Sequence, residues 1–414
     1  MNFALTVLTV FGVCAVALGH VVPPKAVEDI LEMNALSRAA TDCVITVRSD
    51  KIEPQPLYLV PNGGFWPING KGQMVVGVGK ELEFFCPSKF AAPFTSETTI
   101  KAKCVDGKTF KVGSKDHSFS EFKCGSWPSY TAKKIGGSCP GGILLESGFN
   151  VGSRFVKLST ICFNEQIEAT RYVQHSLVPG SDFYQTAIPR VTFVTAGFFG
   201  GKNVDNLYTQ KKQQETITKS LGYDSSKFFD EKKSLFLARG HLAAKADFIM
   251  GSPQRGTFLF VNAGPQWQSF NAGNWQRVED GVRSMVTKRQ ITIECYTGTY
   301  GVTTLPNKDG KQTELYLYES GSTKQIPVPK IYFRIVYEPS TKKAIVLIGV
   351  NNPHLSLVEI KKDYILCPDI SSKVTYVGWS KTDIIKGYSY ACEYAEFKKK
   401  VTNIPSLTVS GVFV

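Results

Sequence analysis

The architecture of this chain follows from two neighbouring stretches, Leu237-Ala238-Arg239-Gly240-His241-Leu242 and Asn262-Ala263-Gly264-Pro265-Gln266-Trp267-Gln268-Ser269-Phe270-Asn271. In an extended chain Arg239 and His241 point to the same side, because alternate residues share a face. A neutral imidazole accepts a proton from water near neutral pH, and an arginine holds a phosphate oxygen. Gly240 is expected to leave room for a phosphate to approach the backbone. The first stretch therefore predicts a strand that presents a base and a cation together.

The second stretch predicts the start of a helix that runs from Asn271 to about Lys288. Asn271 is expected to be its N-cap. Glu279 lies two turns on near the same face, and Arg283 follows at the spacing of a helical ion pair. Each residue has an ordinary structural explanation, but none accounts for the amides crowded directly after the histidine strand. The apolar residues recur at helical spacing, and they are Trp275, Val278, Val282, Met285 and Val286.

The surrounding segments predict an α+β fold. A helix is expected from Asn206 to Leu221, because Gly222 is a typical helix stop. Short apolar runs bounded by turn residues predict the strands, which are Ser153–Phe163, Thr192–Phe199, Phe258–Asn262, Thr292–Thr297, Lys330–Tyr337 and Ala344–Val350.

The N-terminal part is predicted to be a separate, small, β-rich module that contains disulfides. It is expected over residues 43–145, with the larger domain at 146–414 and a boundary near Pro140-Gly141-Gly142. Eight lysines lie between Lys101 and Lys134, against three acidic residues. Such a stretch is usually a solvated face, and an accessory phosphate-binding surface is the sharper alternative.

The start of the chain has the features of an export signal. Residues 1–19 carry no charge and hold an apolar run too short to span a bilayer comfortably, which ends in the small-residue pattern Ala17-Leu18-Gly19. They predict a signal peptide, with a signal anchor as the alternative. Residues 20–42 are expected to be a linker, a propeptide or a docking helix. We therefore expect a secreted, extracellular protein with no membrane attachment after signal removal.

The ten cysteines agree with an oxidising compartment. Loss of Cys14 with the signal peptide leaves nine. Cys295 shares one side of an alternating strand with Ile291 and Ile293, so it is predicted to be a buried, unpaired thiol. The other eight can form four disulfides, whose pairing the sequence leaves open.

The net charge of +13 indicates a surface that attracts polyanions such as nucleic acid, anionic lipid or sulfated sugar. A merely soluble basic protein has the same charge, so this property does not choose a function. The balance of 43% hydrophobic and 20% charged residues excludes a disordered chain.

Together, the motifs resemble those of the DNA/RNA non-specific endonuclease family, whose signature is Asp-Arg-Gly-His, then Asn-x-x-Pro-Gln, then Asn, with Glu eight residues later. The corresponding residues here are Ala238-Arg239-Gly240-His241, Asn262-Ala263-Gly264-Pro265-Gln266, Asn271 and Glu279. The cysteine-rich N-terminal region and Asn351-Asn352-Pro353-His354 are similar to the arthropod double-stranded-RNA and duplex-specific nucleases. The resemblance implies a ββα-metal nuclease domain with a central antiparallel sheet and flanking helices.

The resemblance also implies a role for each candidate residue. His241 would be the general base that activates water. Asn271 would be the single protein ligand of a hydrated Mg²⁺, which Mn²⁺ can replace. Glu279 would orient water around the cation.

Further roles are implied for the neighbouring residues. Arg239 and Arg283 would hold the phosphate. Asn262 would place either His241 or the phosphate, Gln266 would fasten its loop, and His354 would support the fold.

The implied activity is a secreted, Mg²⁺-dependent endonuclease that cuts double-stranded RNA or DNA without reading sequence and leaves 5′-phosphates. Ala238 departs from the family's Asp, so the work of that carboxylate is either absent or supplied elsewhere. The alternative from another class is a secreted nucleic-acid-binding protein on a nuclease fold with little catalytic activity. A basic matrix or heparin-binding protein is a second alternative.

Overall fold

The computed structural model describes residues 40–414, so the expected signal peptide and most of the expected linker at 20–42 lie outside it. The described chain begins with two small sheets around one apolar core. The first strand pairs with the third, and the other five form a sheet in the order second, fourth, fifth, sixth, seventh. These strands are β1 (Cys43–Thr46), β2 (Leu57–Leu59), β3 (Gln73–Val76), β4 (Glu81–Phe85), β5 (Thr99–Asp106), β6 (Thr109–Val112) and β7 (Lys115–Ser118). We call this part the N-terminal module.

The rest of the chain is built around one large antiparallel sheet. The remaining strands are β8 (Thr131–Cys139), β9 (Gly142–Val151), β10 (Arg154–Asn164), β11 (Ala169–Leu177), β12 (Leu237–His241), β13 (Ala263–Trp267), β14 (Ile293–Val302), β15 (Thr304–Pro306), β16 (Gln312–Glu314), β17 (Tyr316–Ser320), β18 (Thr323–Pro327), β19 (Pro329–Glu338), β20 (Lys343–Val350), β21 (Ser389–Cys392) and β22 (Gly411–Val412). Within residues 40–414 the sheet has nine strands, in the order β21-β20-β19-β14-β11-β10-β9-β8, with β22 parallel to β20 at one edge. The central antiparallel sheet and flanking helices expected for the fold are confirmed.

The helices lie on both faces of this sheet. They are α1 (Val204–Leu207), α2 (Gln210–Leu221), α3 (Gly251–Arg255), α4 (Gln268–Phe270), α5 (Gln276–Arg289), α6 (Leu357–Asp363) and α7 (Tyr394–Lys400). The predicted helix stop is confirmed, because Gly222 ends α2 in the left-handed conformation. Across the described chain, no helix has the length and apolar content needed to span a membrane.

The sheet has two apolar faces because its strands alternate sides. Ile331, Phe333 and Ile335 of β19 pack in the core under α6 and α7, whereas Tyr332 and Val336 pack in the core that contains α5. All five apolar residues predicted for the helix after Asn271 are buried in this second core. Burial on both faces explains the nearly continuous apolar sequence of β19 and β20.

Two predicted strands are wrong. The 192–199 segment contributes only a single bridge, from Val194 to Leu259, and otherwise runs as loop. The 258–262 segment forms a 3₁₀ turn at Phe260–Asn262. Both runs are apolar because they pack into the core, and a short apolar run does not show by itself which backbone conformation it adopts.

The cysteines form four disulfides among the described residues, as predicted, and Cys295 is free and buried. The pairs left open by the sequence are Cys43–Cys104, Cys86–Cys124, Cys139–Cys162 and Cys367–Cys392. Two of them close the N-terminal module, and Cys139–Cys162 links β8 to β10. The proposed domain division between residues 145 and 146 falls inside β9, whereas the large sheet begins at Thr131.

A buried polar seam joins the N-terminal module to the rest of the chain. The Gln55 amide bonds the Gln185 side chain (3.1 Å), and the Gln55 carbonyl accepts a hydrogen bond from the Ser252 hydroxyl (2.7 Å). Gln185 also donates to the Val47 carbonyl (3.0 Å) and accepts from the Gly251 amide (2.8 Å). The module therefore fixes both the 182–187 segment and the 249–254 segment.

Candidate active site

The two quoted stretches form an antiparallel strand pair followed by a helix. In the pair β12–β13, His241 lies opposite Ala263 and Arg239 lies opposite Pro265. The chain then turns through α4 and reaches α5 across a kink at Gly273, whose ψ of −120° is not helical. A side chain at Gly273 would lie 2.8 Å from the Lys386 carbonyl oxygen, so the kink requires glycine.

The strand pair and helix enclose a cleft made of two adjoining cavities. The first, which we call the base cavity, has a volume of about 470 Å³ and is lined by His241, Asn271, Glu279 and Arg283. The second, the side cavity, has a volume of about 810 Å³ and is lined by Arg239, Ala238, Asp205 and Tyr208. Arg190, Gln268 and Asn271 line both cavities. The structure therefore brings five of the six predicted site residues to one cleft.

His241 is buried at the floor of the base cavity. Its ring packs against Phe193 and Phe258, with centroid distances of 5.0 and 4.9 Å. Nε2 is buried and has no hydrogen-bond partner among residues 40–414. Burial, followed by the charges of Arg190 and Lys245, lowers the pKa of His241 to about 3. The ring is therefore neutral at physiological pH and available to accept a proton.

Asn271 lies inside the helical segment, and its predicted N-cap role is wrong. Its φ and ψ are −55° and −48°, which are helical values, and Trp267 begins the helical run instead. The Asn271 Nδ2 donates to the Gln268 Oε1 (3.0 Å). This bond leaves Oδ1 without a donor in the described chain, so a hard oxygen ligand faces the cleft.

Glu279 and Arg283 do not form the predicted helical ion pair. Arg283 instead binds the Asp247 carboxylate (2.8 Å) and also pairs with Asp280. Burial, the dominant effect, raises the pKa of Glu279 to about 8. The ion-pair prediction failed because Arg283 binds Asp247, which is distant along the chain, instead of Glu279 one turn away on the same helix.

Asp247 is the centre of a buried ion network beneath the cleft. Its carboxylate accepts hydrogen bonds from Arg283 Nη1 (2.8 Å), Arg334 Nη2 (2.9 Å) and His175 Nε2 (2.9 Å). Burial alone would raise the pKa of Asp247, but Arg334, His175 and Arg283 together hold it below its ordinary value. The network ties β11, β19 and α5 to the turn that follows His241.

Arg239 lies in the side cavity and is already paired with a carboxylate. Its Nη2 is 2.6 Å from Asp205 Oδ1, and its guanidinium lies over the Tyr208 ring at 5.2 Å. Ala238, the position of the family's Asp, lines the same cavity. A carboxylate therefore reaches this part of the site from α1 instead of from β12.

The expectation that Gly240 leaves room for a phosphate is wrong. A Cβ at Gly240 would lie 2.1 Å from the Gln266 Oε1, so Gln266 occupies that space. Gln266 is fully buried, and neither of its polar atoms has a partner within the described range. The glycine is required for close packing of the two strands.

Asn262 lies behind the site, outside both cavities. Its side chain accepts from the Ala243 amide (2.9 Å) and donates to the carbonyls of Ala243 (3.0 Å) and Thr257 (2.9 Å). These bonds fix the chain directly after His241 and leave Asn262 no capacity to reach a phosphate. Of its two expected roles, only placement of His241 fits the geometry.

Asn351 and His354 have structural surroundings. The Asn351 side chain accepts from the Trp267 amide (2.9 Å) and donates to the Pro265 carbonyl (3.1 Å), so it braces β13. His354 packs edge-on against Phe228 and Trp267. Both residues act on the strand pair from outside the cleft.

Sequence reasoning missed Arg190, Lys245 and Asp247. Arg190 is exposed, lines both cavities and has no acidic partner in the part of the chain described. Lys245 lines the base cavity and donates to the Ile188 carbonyl (2.5 Å). Arg190 stands outside the motifs, and no local pattern marks it. Lys245 and Asp247 could have been predicted, because these two charged residues follow closely after His241 in Ala244-Lys245-Ala246-Asp247.

Two antiparallel strands that carry a histidine, followed by a helix that brings an amide and a carboxylate to the same cleft, define a nuclease of the ββα class. The chain matches the family model for DNA/RNA non-specific endonucleases over residues 141–397, more than half of its length, and it belongs to that family.

The chain is also similar to individual relatives. It is 29% identical over 354 residues to a salivary endonuclease of Lutzomyia longipalpis, covering 84% of this chain and 80% of that protein. It is 22% identical over 368 residues to salivary protein Tsal2A of Glossina morsitans morsitans, covering 80% and 88% respectively. Among solved structures it is similar to a crystal structure of the EndoG/EndoGI complex, at a TM-score of 0.37 and 15% identity, covering 61% of this chain and 87% of that chain.

Proposed function

We propose that this endonuclease is secreted, uses a divalent cation, chiefly Mg²⁺, and hydrolyses double-stranded nucleic acid without reading its sequence. The observation that carries the proposal is the shared cleft, in which His241 and Asn271 line one cavity. A base and a cation ligand must meet at one phosphate for this chemistry.

His241 is the proposed general base. It takes a proton from a water that attacks phosphorus while the P–O3′ bond breaks. The O3′ leaves with the upstream fragment and takes a proton from solvent, and the phosphate stays on O5′ of the downstream fragment. The ring is unprotonated before the reaction, because its pKa is about 3 without substrate. The negative charge of a bound phosphate would raise that pKa towards the range in which a general base is effective.

The residues present fit a sparsely held divalent cation. Asn271 Oδ1 has no donor from residues 40–414, and Glu279 lines the same cavity. A bound cation would lower the raised pKa of Glu279 and favour its carboxylate form. No cluster of three His, Cys, Asp or Glu residues exists within residues 40–414, so the site suits an ion that keeps most of its waters, as Mg²⁺ does. When bound, the cation would stabilise the charge that develops on the phosphate oxygens.

Arg190 and Arg239 are proposed to hold the scissile phosphate, since both line the side cavity that adjoins Asn271. Arg283 is 2% exposed and engaged by the carboxylates of Asp247, Asp280 and Asp182, so we assign it to the positive wall of the base cavity and to positioning. Asn262 is proposed to place His241 through the backbone of Ala243.

A duplex is the proposed substrate form. The two cavities join into a groove larger than a single phosphate requires, and its cations suit a regular phosphate backbone. The resemblance to arthropod duplex nucleases supports double-stranded RNA or DNA. Secretion is supported by residues 1–19, by the four disulfides, and by relatives described as salivary.

The test is a substrate panel with purified protein. Duplex RNA, duplex DNA and the matching single strands are incubated with Mg²⁺, Mn²⁺ or EDTA, and the ends of the products are identified. Cleavage of duplexes at many sequences, abolished by EDTA and leaving 5′-phosphates, is the expected result. Retarded but intact nucleic acid would instead show a binding protein with little turnover.

A further inference from the structure

Four basic side chains lie at the side of the base cavity that is held by the N-terminal module. Lys245 and Arg190 line the cavity, Lys51 of the module donates to the carbonyl of Thr186 in its wall, and Arg255 follows Gln254, another lining residue. Within residues 40–414, Arg255 and Arg190 have no ion pair, and Lys51 lies 3.6 Å from the exposed Glu53. Glu53 is the one carboxylate whose charge reaches Arg255. The group therefore carries a large excess of positive charge.

Two contacts hold these side chains in place without neutralising them. Lys245 donates to the Ile188 carbonyl (2.5 Å), and the Arg255 guanidinium lies over the Trp127 ring at 4.6 Å. Trp127 is beside Gly251, where a Cβ would meet its ring at 3.2 Å. The Trp127 ring fixes the position of Arg255, and the Ile188 carbonyl fixes that of Lys245. Neither contact neutralises the positive charge.

Like charges held close together destabilise a fold unless an anion joins them. Burial, and after it the charges of Arg190, Arg255 and Lys51, lowers the pKa of the Lys245 ammonium group. Asp280 and Glu279 lie on α5 with Arg283, whereas Lys245 lies on the turn after β12, so the acids of the base cavity are on a different element from Lys245.

We infer that Lys245 and Arg255, with Lys51 of the N-terminal module, form a second phosphate subsite for a phosphate of the substrate other than the one that is cut. This inference rests on the proposed function, because it names where the flanking backbone lies. It gives the N-terminal module a direct part in binding long substrates.

The experiment compares Lys245→Gln and Arg255→Gln with wild type on two substrates. One is a long nucleic-acid duplex, and the other is a small ester with a single phosphodiester. Each variant is expected to raise KM on the duplex roughly tenfold, the size of one lost charge-assisted contact. Activity of Arg255→Gln on the small ester is expected to stay at the wild-type level, because that substrate has no second phosphate and Arg255 does not line the base cavity.

Salt dependence supplies a readout that does not need turnover. In a His241→Ala background, each substitution is expected to lower the slope of log affinity against log salt by about one. Lys245→Arg should restore both the slope and the KM, since it keeps the charge and the donor to Ile188. Lys362→Gln is the matched control, because Lys362 is exposed on α6, across the sheet from the cleft, and should change nothing.

The outcomes separate the subsite from the proposed function. Unchanged KM and salt slope in both variants would overturn the subsite while leaving the nuclease intact. An equal loss on both substrates in Arg255→Gln, with a normal thermal melt, would also overturn it and would place Arg255 in the chemistry. If wild type cuts neither substrate, the proposed function fails, and the binding slopes in the His241→Ala background still decide whether the subsite exists.

Discussion

His241 depends on its surroundings more than on its own chemistry. Phe193 and Phe258 hold the ring, Asn262 fixes the backbone after it, and burial with nearby cations keeps it neutral. A histidine on a solvent-exposed strand would titrate near 6.5 and would be partly protonated in mildly acidic fluid. The low pKa therefore keeps the His241 ring neutral in such a fluid.

His241→Ala is expected to lower the cleavage rate by about 10²- to 10⁴-fold, the usual contribution of a general base. Duplex affinity should be retained, because the phosphate contacts come from other residues. Cleavage assays with parallel anisotropy measurements on labelled duplex check this. A wild-type rate in the variant would remove His241 from the mechanism.

Asn271→Ala is expected to raise the Mg²⁺ concentration needed for activity or to abolish activity. Because Asn271 is not the N-cap, the thermal midpoint should stay close to wild type instead of falling by the cost of a lost cap, about 1 kcal/mol. A Mg²⁺ titration and a thermal melt measure the two quantities. Unaltered Mg²⁺ dependence would show that the amide oxygen is not the ligand.

The Asp247 network fixes the turn after β12 against α5 and β19. Asp247→Ala leaves Arg334 and Arg283 without their shared buried partner, so a loss of about 3–5 kcal/mol in the free energy of unfolding is expected. Urea unfolding measures it.

Asp280→Ala is the control for that prediction, because it removes the half-exposed partner of the same arginine. The expected loss is below about 1 kcal/mol. Equal losses in the two variants would show that the buried network adds nothing beyond a surface ion pair.

His354, which supports the strand pair from outside the cleft, makes the free energy of unfolding depend on pH. Burial between Phe228 and Trp267 lowers the pKa of His354 to about 4. The unfolded chain takes up this proton first, at a pH near 6.5, so the associated stability is present above that pH and is lost as pH falls towards 4. His354→Gln should remove a slope of up to about 1.4 kcal/mol per pH unit between those values.

Unfolding curves at a series of pH values, with measurements at pH 8 as the internal control, check this expectation. A wild-type slope in His354→Gln would contradict it.

Elements with strong local signals could be predicted from sequence. β19 and β20 follow from β-branched runs, and the helix after Asn271 follows from its apolar spacing. The 192–199 and 258–262 segments could not be predicted, because core packing overrides their local preference. The pairing of Arg283 with Asp247 and the place of Arg190 depend on which segments meet in space, and no spacing along the chain encodes them.

The N-terminal module supports the wall of the cleft from behind. Gln185 and Lys245 line the base cavity, and residues 47–55 hold the segment that contains Gln185. Met250 of the larger domain is buried in the module's core. A chain that starts at Thr131 is therefore expected to unfold with lower cooperativity and to lose activity.

Dye binding to exposed apolar surface, urea unfolding and duplex cleavage measure the effects of that truncation. A truncated chain with full activity and a single sharp transition would show that the module is dispensable.

The buried hydrogen bonds between Gln55, Gln185 and Ser252 restrict how the gene can recombine with related genes. If recombination replaced the module of this chain with that of a relative, the buried amides of Gln55, Gln185 and Ser252 would lose their hydrogen-bond partners. Each unsatisfied group would lower the free energy of unfolding by about 1–3 kcal/mol. The match to the Lutzomyia protein covers 84% of the chain, so it reaches beyond residues 141–397 into the module. Gene shuffling should therefore spare the span between Gln55 and Ser252, and the two halves should have a single shared genealogy.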